Sequence, residues 1–281
     1  MNSSLFCWFV VGRKDATGME VFMKRFVTQA WLNFKGQKSV FNLAEFLCFD
    51  TGYPLITLIF YCVLAGYSFQ TTDLTRWVVG NSFLLCTNTC IFSLGASFTG
   101  ERYYGRIRSI IVAPRNKLMI VLEKGLFSGM ISIVTVFLGF LIGSGIFGVD
   151  FGKIHLLSFF LIIIIGMFSA TGFGLLLSTF GLITDQMHLV LNLSSYALMI
   201  FCGVNFPVAQ LSYGGRFLSN CLPMTRSIKA ANLLFEITKG EEILRLLLSE
   251  LLIGGIYFIA AFFIIRLVEK VAIKKATFEV F

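Results

Sequence analysis

The residues able to do chemistry are few, and none sits in an arrangement that a reaction requires. The only histidines are His155 and His188. Asp185 precedes His188 by three positions, the spacing of half a metal site on one helix face, but no second ligand pair accompanies it. A capping or solvated pair is the plain reading. Seven cysteines (Cys7, Cys48, Cys62, Cys86, Cys90, Cys202 and Cys221) form no CxxC pair. Cys86 and Cys90 share a helix face inside an apolar segment, where cysteine acts as a small hydrophobe. No HExxH and no GxSxG occurs, so hydrolase chemistry has no support. Gly143-Ser144-Gly145-Ile146-Phe147-Gly148 fits the dinucleotide fingerprint by letter. It closes an apolar segment instead of joining a strand to a helix, so it reads as a flexible helix end. There is no G-x-x-x-x-G-K-[ST] phosphate loop, and no metal or cofactor is expected on this chain.

What surrounds these residues explains why they are so sparse. Of 281 residues, 57% are hydrophobic and 14% charged, and the mean hydropathy is +0.84. Soluble domains are roughly 45–50% apolar, glycine included, and roughly 25% charged. A globule of 31.4 kDa cannot hide so much apolar surface. Soluble enzyme, disordered chain and nucleic-acid module are thereby excluded, and an all-α integral membrane protein is expected. A short apolar stretch near the start, Leu5 to Val11, has no basic region before it and makes a poor signal peptide.

A helix crosses the hydrocarbon core with about 20 predominantly apolar residues. Six stretches qualify: 46–69, 77–98, 118–149, 155–183, 187–206 and 246–265. The second is the least apolar, with Asn81, Ser82, Thr87, Asn88 and Thr89. The segments before the first span, between the second and third, and after the sixth carry fifteen of the 23 basic residues, and Lys124 at the start of the third span makes sixteen. The positive-inside rule puts that side, and both termini, in the cytoplasm of a multi-pass plasma-membrane protein. The net charge of +8 is thus a topology signal. The expected layout is a cytoplasmic N-terminus over 1–45 and a six-span domain with a cytoplasmic tail over 46–281.

Before the first span, Met19, Phe22, Met23, Phe26, Val27, Ala30, Trp31 and Phe34 recur at helical spacing, opposite Lys24, Arg25, Gln29 and Asn33. This predicts a basic amphipathic helix lying in the membrane interface; a helix docked on a partner fits the same pattern. Between the second and third spans, a helix that Gly100 starts and Pro114 limits would carry an Ile107, Ile110 and Ile111 stripe. With Arg102, Arg106 and Arg108 largely off that stripe, it suits docking on another protein. A solvated positive-inside loop accounts for the same residues equally well.

Taken in order, these features resemble the permeases of type-2 ABC transporters. Glu101 and Gly105, then Pro114 and Lys124, are similar to that family's recurrent residues between spans two and three. Gly203-Val204-Asn205-Phe206-Pro207 resembles its segment at the outer end of span five, and Leu222-Pro223-Met224-Thr225 its "LPLT" stretch. Arg106-Ile107 departs from the small polar and apolar pair that many members carry. The resemblance covers essentially the whole chain. It implies that the amphipathic helix is an elbow helix, that the stretch after Gly100 is a cytoplasmic coupling helix with a second contact at 182–187, and that residues 208 to 235 form outer re-entrant helices. It also implies two cytoplasmic ATP-binding subunits and a second permease subunit, a copy or a paralogue. Coupling would then fall to Glu101, Arg102, Gly105, Arg106, Arg108, Pro114 and Asp185. Leu211-Ser212-Tyr213-Gly214-Gly215-Arg216 is superficially similar to an ABC signature loop, but on the outer side, where no ATP is expected.

In lipid, close helix packing depends on small residues. Gly125, Gly129, Gly139 and Gly143 in span three, and Gly166, Ala170, Gly174 and Ser178 in span four, are expected where helices meet. Asn81, Asn88 and Gly95 recur every seven residues, and Asn192, Ser195, Tyr196 and Met199 form a comparable stripe. These faces are read as bordering the substrate path, with interhelical hydrogen bonding as the alternative. Glu250, one turn inside span six, and Arg245 at its edge are expected to snorkel to the headgroups, leaving no charge buried in the membrane. The function expected is the permease subunit of an ATP-driven exporter for a hydrophobic or amphiphilic compound. A self-contained secondary transporter or channel, or a membrane immunity factor without transport, are the other readings.

Overall fold

The computed structural model describes residues 18–37, 52–103, 105, 117–150, 152, 154–181, 184, 186–235 and 240–275. In chain order they form α1 (Gly18–Gln37), α2 (Tyr53–Phe69), α3 (Thr75–Tyr103), α4 (Lys117–Phe147), α5 (Leu156–Phe180), α6 (Met187–Phe201), a 3-10 turn (Val208–Gln210), α7 (Tyr213–Cys221), α8 (Thr225–Phe235) and α9 (Gly240–Lys275). No strand occurs among the described residues. The protein is an all-α integral membrane bundle. Within it α3, α5 and the Gly240–Leu267 part of α9 are long and apolar enough to cross a bilayer, while Pro54–Phe69, Ser132–Phe147 and Met187–Phe201 are shorter apolar stretches.

Local chemistry sets the ends. Pro54 sits in the first turn of α2, where its missing N–H costs nothing, and Gln70 closes the helix in the left-handed region at φ 50°. Gly148, at φ +67°, ends α4 by donating its N–H to Ser144 O over 2.9 Å. Gly203, at φ +76°, turns the chain out of α6 five residues before the expected end of that span. α9 runs well beyond the expected 246–265 in both directions. Its flanks are rich in Glu, Arg, Leu and Lys, which hold a helix as well as apolar residues do once it leaves the hydrocarbon.

α5 lies at the centre, and its glycines are where neighbours arrive. A Cβ at Gly174 would stand 3.0 Å from Leu94 of α3, one at Gly166 3.0 Å from Ser227 of α8, and one at Gly172 2.9 Å from the Gly254 carbonyl of α9. α4 comes just as close through Gly125 and Gly129, whose Cβ positions would meet Leu175 at 2.9 Å and Thr171 at 2.8 Å. With a lipid solvent as apolar as the core, such approaches are what hold helices together. An aromatic series reinforces them, with ring centroids 5.7 Å apart for Phe83–Phe140, 4.8 Å for Phe140–Phe159 and 6.4 Å for Phe159–Phe235. It ties α3, α4, α5 and α8 into one core.

α1 forms over the residues that the amphipathic spacing predicts. Ala30 is buried, while Met23, Val27 and Trp31 stay about half exposed and Lys24 and Arg25 are exposed. An apolar row left open beside two cations is what an interfacial helix presents.

Candidate functional site

Two helices carry the polar residues expected along a path, and they run antiparallel in contact. At one end a Cβ on Gly95 would fall 2.6 Å from Leu191 of α6; at the other, a Cβ on Gly80 would fall 3.0 Å from Val204. Asn88 therefore lies level with the turn of α6 that holds Ser195 to Met199. Gly95 is buried, and its lack of a side chain is what admits Leu191. Asn81 is wholly buried, and its Nδ2 donates to Trp77 O over 2.9 Å. These two lie inside the chain. Asn88 is half-buried, with an Oδ1 that has no partner. Asn192 is exposed and Tyr196 60% exposed, with Ser195 and Met199 half-buried between them. The remaining polarity of α3 is largely spent on its own backbone: Thr87 donates to Phe83 O over 2.8 Å and Thr89 to Leu85 O over 3.0 Å.

At the end where α3 finishes, the expected helix start at Gly100 is corrected. α3 passes through Gly100 and carries Glu101 and Arg102 in its last turn. The break comes at Gly105, exposed and at φ +66°, a conformation that favours glycine. The reason is that the apolar count stops near 98, whereas helix-compatible residues continue to Tyr103. Arg106, Arg108, Pro114 and Asp185 lie outside the described residues. His188 is exposed, and among the described residues no three His, Cys, Asp or Glu side chains gather to hold a metal ion.

The opposite end carries the α7–α8 hairpin, whose short helices would leave carbonyls unbonded at the end of α7 and amides at the start of α8. Three of the carbonyls are met by side chains. Thr225 Oγ1 donates to Ser219 O over 2.8 Å, Arg226 Nη2 to Asn220 O over 2.7 Å, and the Tyr257 hydroxyl of α9 to Cys221 O. Cys202 Sγ donates to Pro223 O over 3.2 Å. Backbone that leaves the helical pattern at membrane depth persists only when it is satisfied in this way.

Glu250 of α9 belongs to this end, and its expected reach to the headgroups is corrected. The side chain is 0% exposed and its Oε1 accepts the Met224 N–H over 2.7 Å. α9 begins at Gly240, so Glu250 lies three turns inside the helix, on the face turned towards α5 and α8. Glu123 of α4 is likewise buried, so the membrane domain does enclose carboxyl groups. The sequence carried one signal for Glu250: it shares a helical register with Ile243, Leu247, Gly254 and Ala261, all buried.

The two glycine motifs have local duties. A Cβ on Gly143 would fall 2.3 Å from Val78 of α3, and Gly148 makes the turn after α4. In the Leu211 to Arg216 stretch, Ser212 caps α7 by accepting Gly215 N–H over 3.4 Å, and Arg216 Nε donates to Leu211 O over 3.0 Å. With this geometry in hand, comparison with known proteins gives one result. A family model described as "ABC-2 type transporter" matches residues 26–235, from α1 to the end of α8. No curated protein matches the chain.

Proposed function

The chain belongs to the ABC-2 type transporter family, and from that premise we propose that it is the permease subunit of an ATP-driven exporter. The cargo would be a hydrophobic or amphiphilic compound, such as a drug, peptide, toxin or lipid-like molecule, moved out across the plasma membrane. Two cytoplasmic ATP-binding subunits supply the hydrolysis, with ATP and magnesium bound there, and a second permease, a copy or a paralogue, completes the conduit. Both termini face the cytoplasm, where sixteen of the 23 basic residues are placed. Glu101, Arg102 and Gly105 at the end of α3, with Arg106, Arg108, Pro114 and Asp185, meet the ATP-binding subunits.

The observation that carries the exporter reading is the outward face of α6. A membrane helix that turns Asn192 and Tyr196 out of its own subunit places polar groups where lipid would not satisfy them. A path or a second subunit at that face does satisfy them. Asn88, Ser195 and Met199 border the same path, with Asn81 and Gly95 behind them.

The buried Glu250 favours one further reading, a self-contained transporter driven by protons. One experiment separates the two. The tagged chain, solubilised and purified, is expected to bring an ATP-binding subunit with it at near-equal stoichiometry, and the reconstituted complex to export only with ATP. Uphill pumping by the permease alone, without any hydrolysing partner, overturns the exporter reading.

A further inference from the structure

We propose that Glu250 is a positioning residue that pins the exit-side hairpin α7–α8 to the bundle, by capping the first turn of α8 from across the subunit. The inference rests on the exporter reading for what the hairpin covers, while the pin itself stands on contacts within the chain. Glu250 also lies beyond the residues that the family model matches.

The hairpin cannot cap α8 by itself. An N-cap needs a side-chain acceptor just before the helix, and the chain offers Leu222, Pro223 and Met224. Met224 is also held at φ +69°, a left-handed conformation in which a long side chain is rarely found. Such a backbone survives where its surroundings fix it. Glu250 fixes it: the Met224 N–H donates to Oε1 over 2.7 Å, 26 residues away in sequence and wholly buried. The positive end of α8 makes this the place where a carboxylate is best received.

A carboxylate removed from water on a helix that otherwise faces lipid is costly unless something specific is gained. α9 could present leucine there, as it does on either side at Leu247 and Leu251. Instead it offers Glu250 and, seven residues later, Tyr257, and the two bind the same short connection at Met224 and Cys221. Cys202 at the end of α6 holds Pro223 between them. The connection is therefore gripped from α9 and the end of α6 at three of its four residues from Cys221 to Met224. The Ser169 hydroxyl and the Arg226 amide also approach the carboxyl group. The bond from Met224, at 2.7 Å, is the one that ties it to the turn between the two short helices.

An accepting oxygen is what the pin requires, and a glutamine keeps one. Hydrogen exchange at the Met224 and Arg226 amides, read on the full complex in lipid nanodiscs, compares wild type with Glu250→Ala and Glu250→Gln. The alanine variant is expected to exchange about tenfold to a hundredfold faster, the cost of leaving one buried amide without its acceptor, and the glutamine variant to stay within about threefold of wild type. Equal rates in wild type and alanine overturn the pin. Glutamine as fast as alanine also overturns it, because the carboxylate's charge or its proton would then be what matters. Where alanine fails to accumulate, a glutamine variant that accumulates and exchanges slowly supports the pin, and failure of both overturns it. ATP-independent leak of a small dye from vesicles holding the complex is expected to rise about severalfold with alanine only. These readings need no export, so they hold or fail separately from the exporter proposal.

Discussion

α3 and α9 are both membrane helices, and they are built in opposite senses. α3 is the less apolar of the two, with 78% of its spanning window buried, whereas α9 is more apolar and only 22% buried. In a water-soluble protein the apolar helix would be the inner one. Here lipid is the solvent, so the helix with Asn81, Ser82 and Thr87 goes inside, where protein groups can meet it, and the greasy one goes out. α9 nevertheless keeps one inward stripe, Ile243, Leu247, Glu250, Gly254 and Ala261, along which it grips α5 and α8. Between these two helices depth follows polarity, but α5, the most apolar span, is also 61% buried because its glycines admit neighbours; attachment follows a narrow row of small or bonded residues.

The sharpest way to break that contrast is at the row itself. Gly172 of α5 meets α9 so closely that a Cβ would stand 2.9 Å from the backbone oxygen of Gly254 and 3.0 Å from the Phe258 ring. Backbone cannot step aside as a side chain can. Gly172→Leu is expected to cost at least about 3 kcal/mol, the upper end of overpacking penalties, and to abolish accumulation of the folded subunit. Normal yield and an unchanged melting temperature in detergent would show that α9 is not held through this contact.

Much of this arrangement was legible in the sequence, and the misses share one cause. Hydropathy found 118–149 and 155–183 within a few residues of α4 and α5, and Gly148 makes the turn that ends α4. The glycine rows were read as places where helices meet, and the structure fills them with Leu94, Thr171, Leu175 and Ser227. The hairpin at 208–235 came from family resemblance, since its short helices carry no span signal of their own. Glu250 was misplaced because its partner, Met224, lies 26 residues away and in another element. Asn81 and Asn88 share one heptad register but differ in burial, which depends on the neighbouring elements and is not encoded in a single helix.

A smaller effect tests the inner helix directly. Phe83 is fully buried and sits edge-on to Phe140 at 5.7 Å. In water, truncating it would forfeit both transfer and packing energy. In a bilayer the transfer part is nearly absent, since the unpacked helix also sits in an apolar medium. Phe83→Ala is therefore expected to cost about 2 kcal/mol, from the void alone, as read by denaturation of the complex in mixed micelles. A loss well above that would mean α3 is held by something beyond close packing.

The smallest effect belongs to the outer helix and sharpens the contrast most. Ile256 of α9 is 60% exposed and lies on the side of the helix away from the gripping row. If lipid covers it, Ile256→Ala exchanges one apolar contact with mobile chains for another. Stability should then move by less than about 0.5 kcal/mol, as at an ordinary surface position. A loss as large as that of Phe83→Ala would require a packed neighbour at this face, and no element of the chain is there to supply one among the described residues. The neighbour would have to be another protein, and α9 would then be a face through which subunits meet. The same measurement therefore decides whether the low burial of α9 marks a lipid boundary or an uncovered interface.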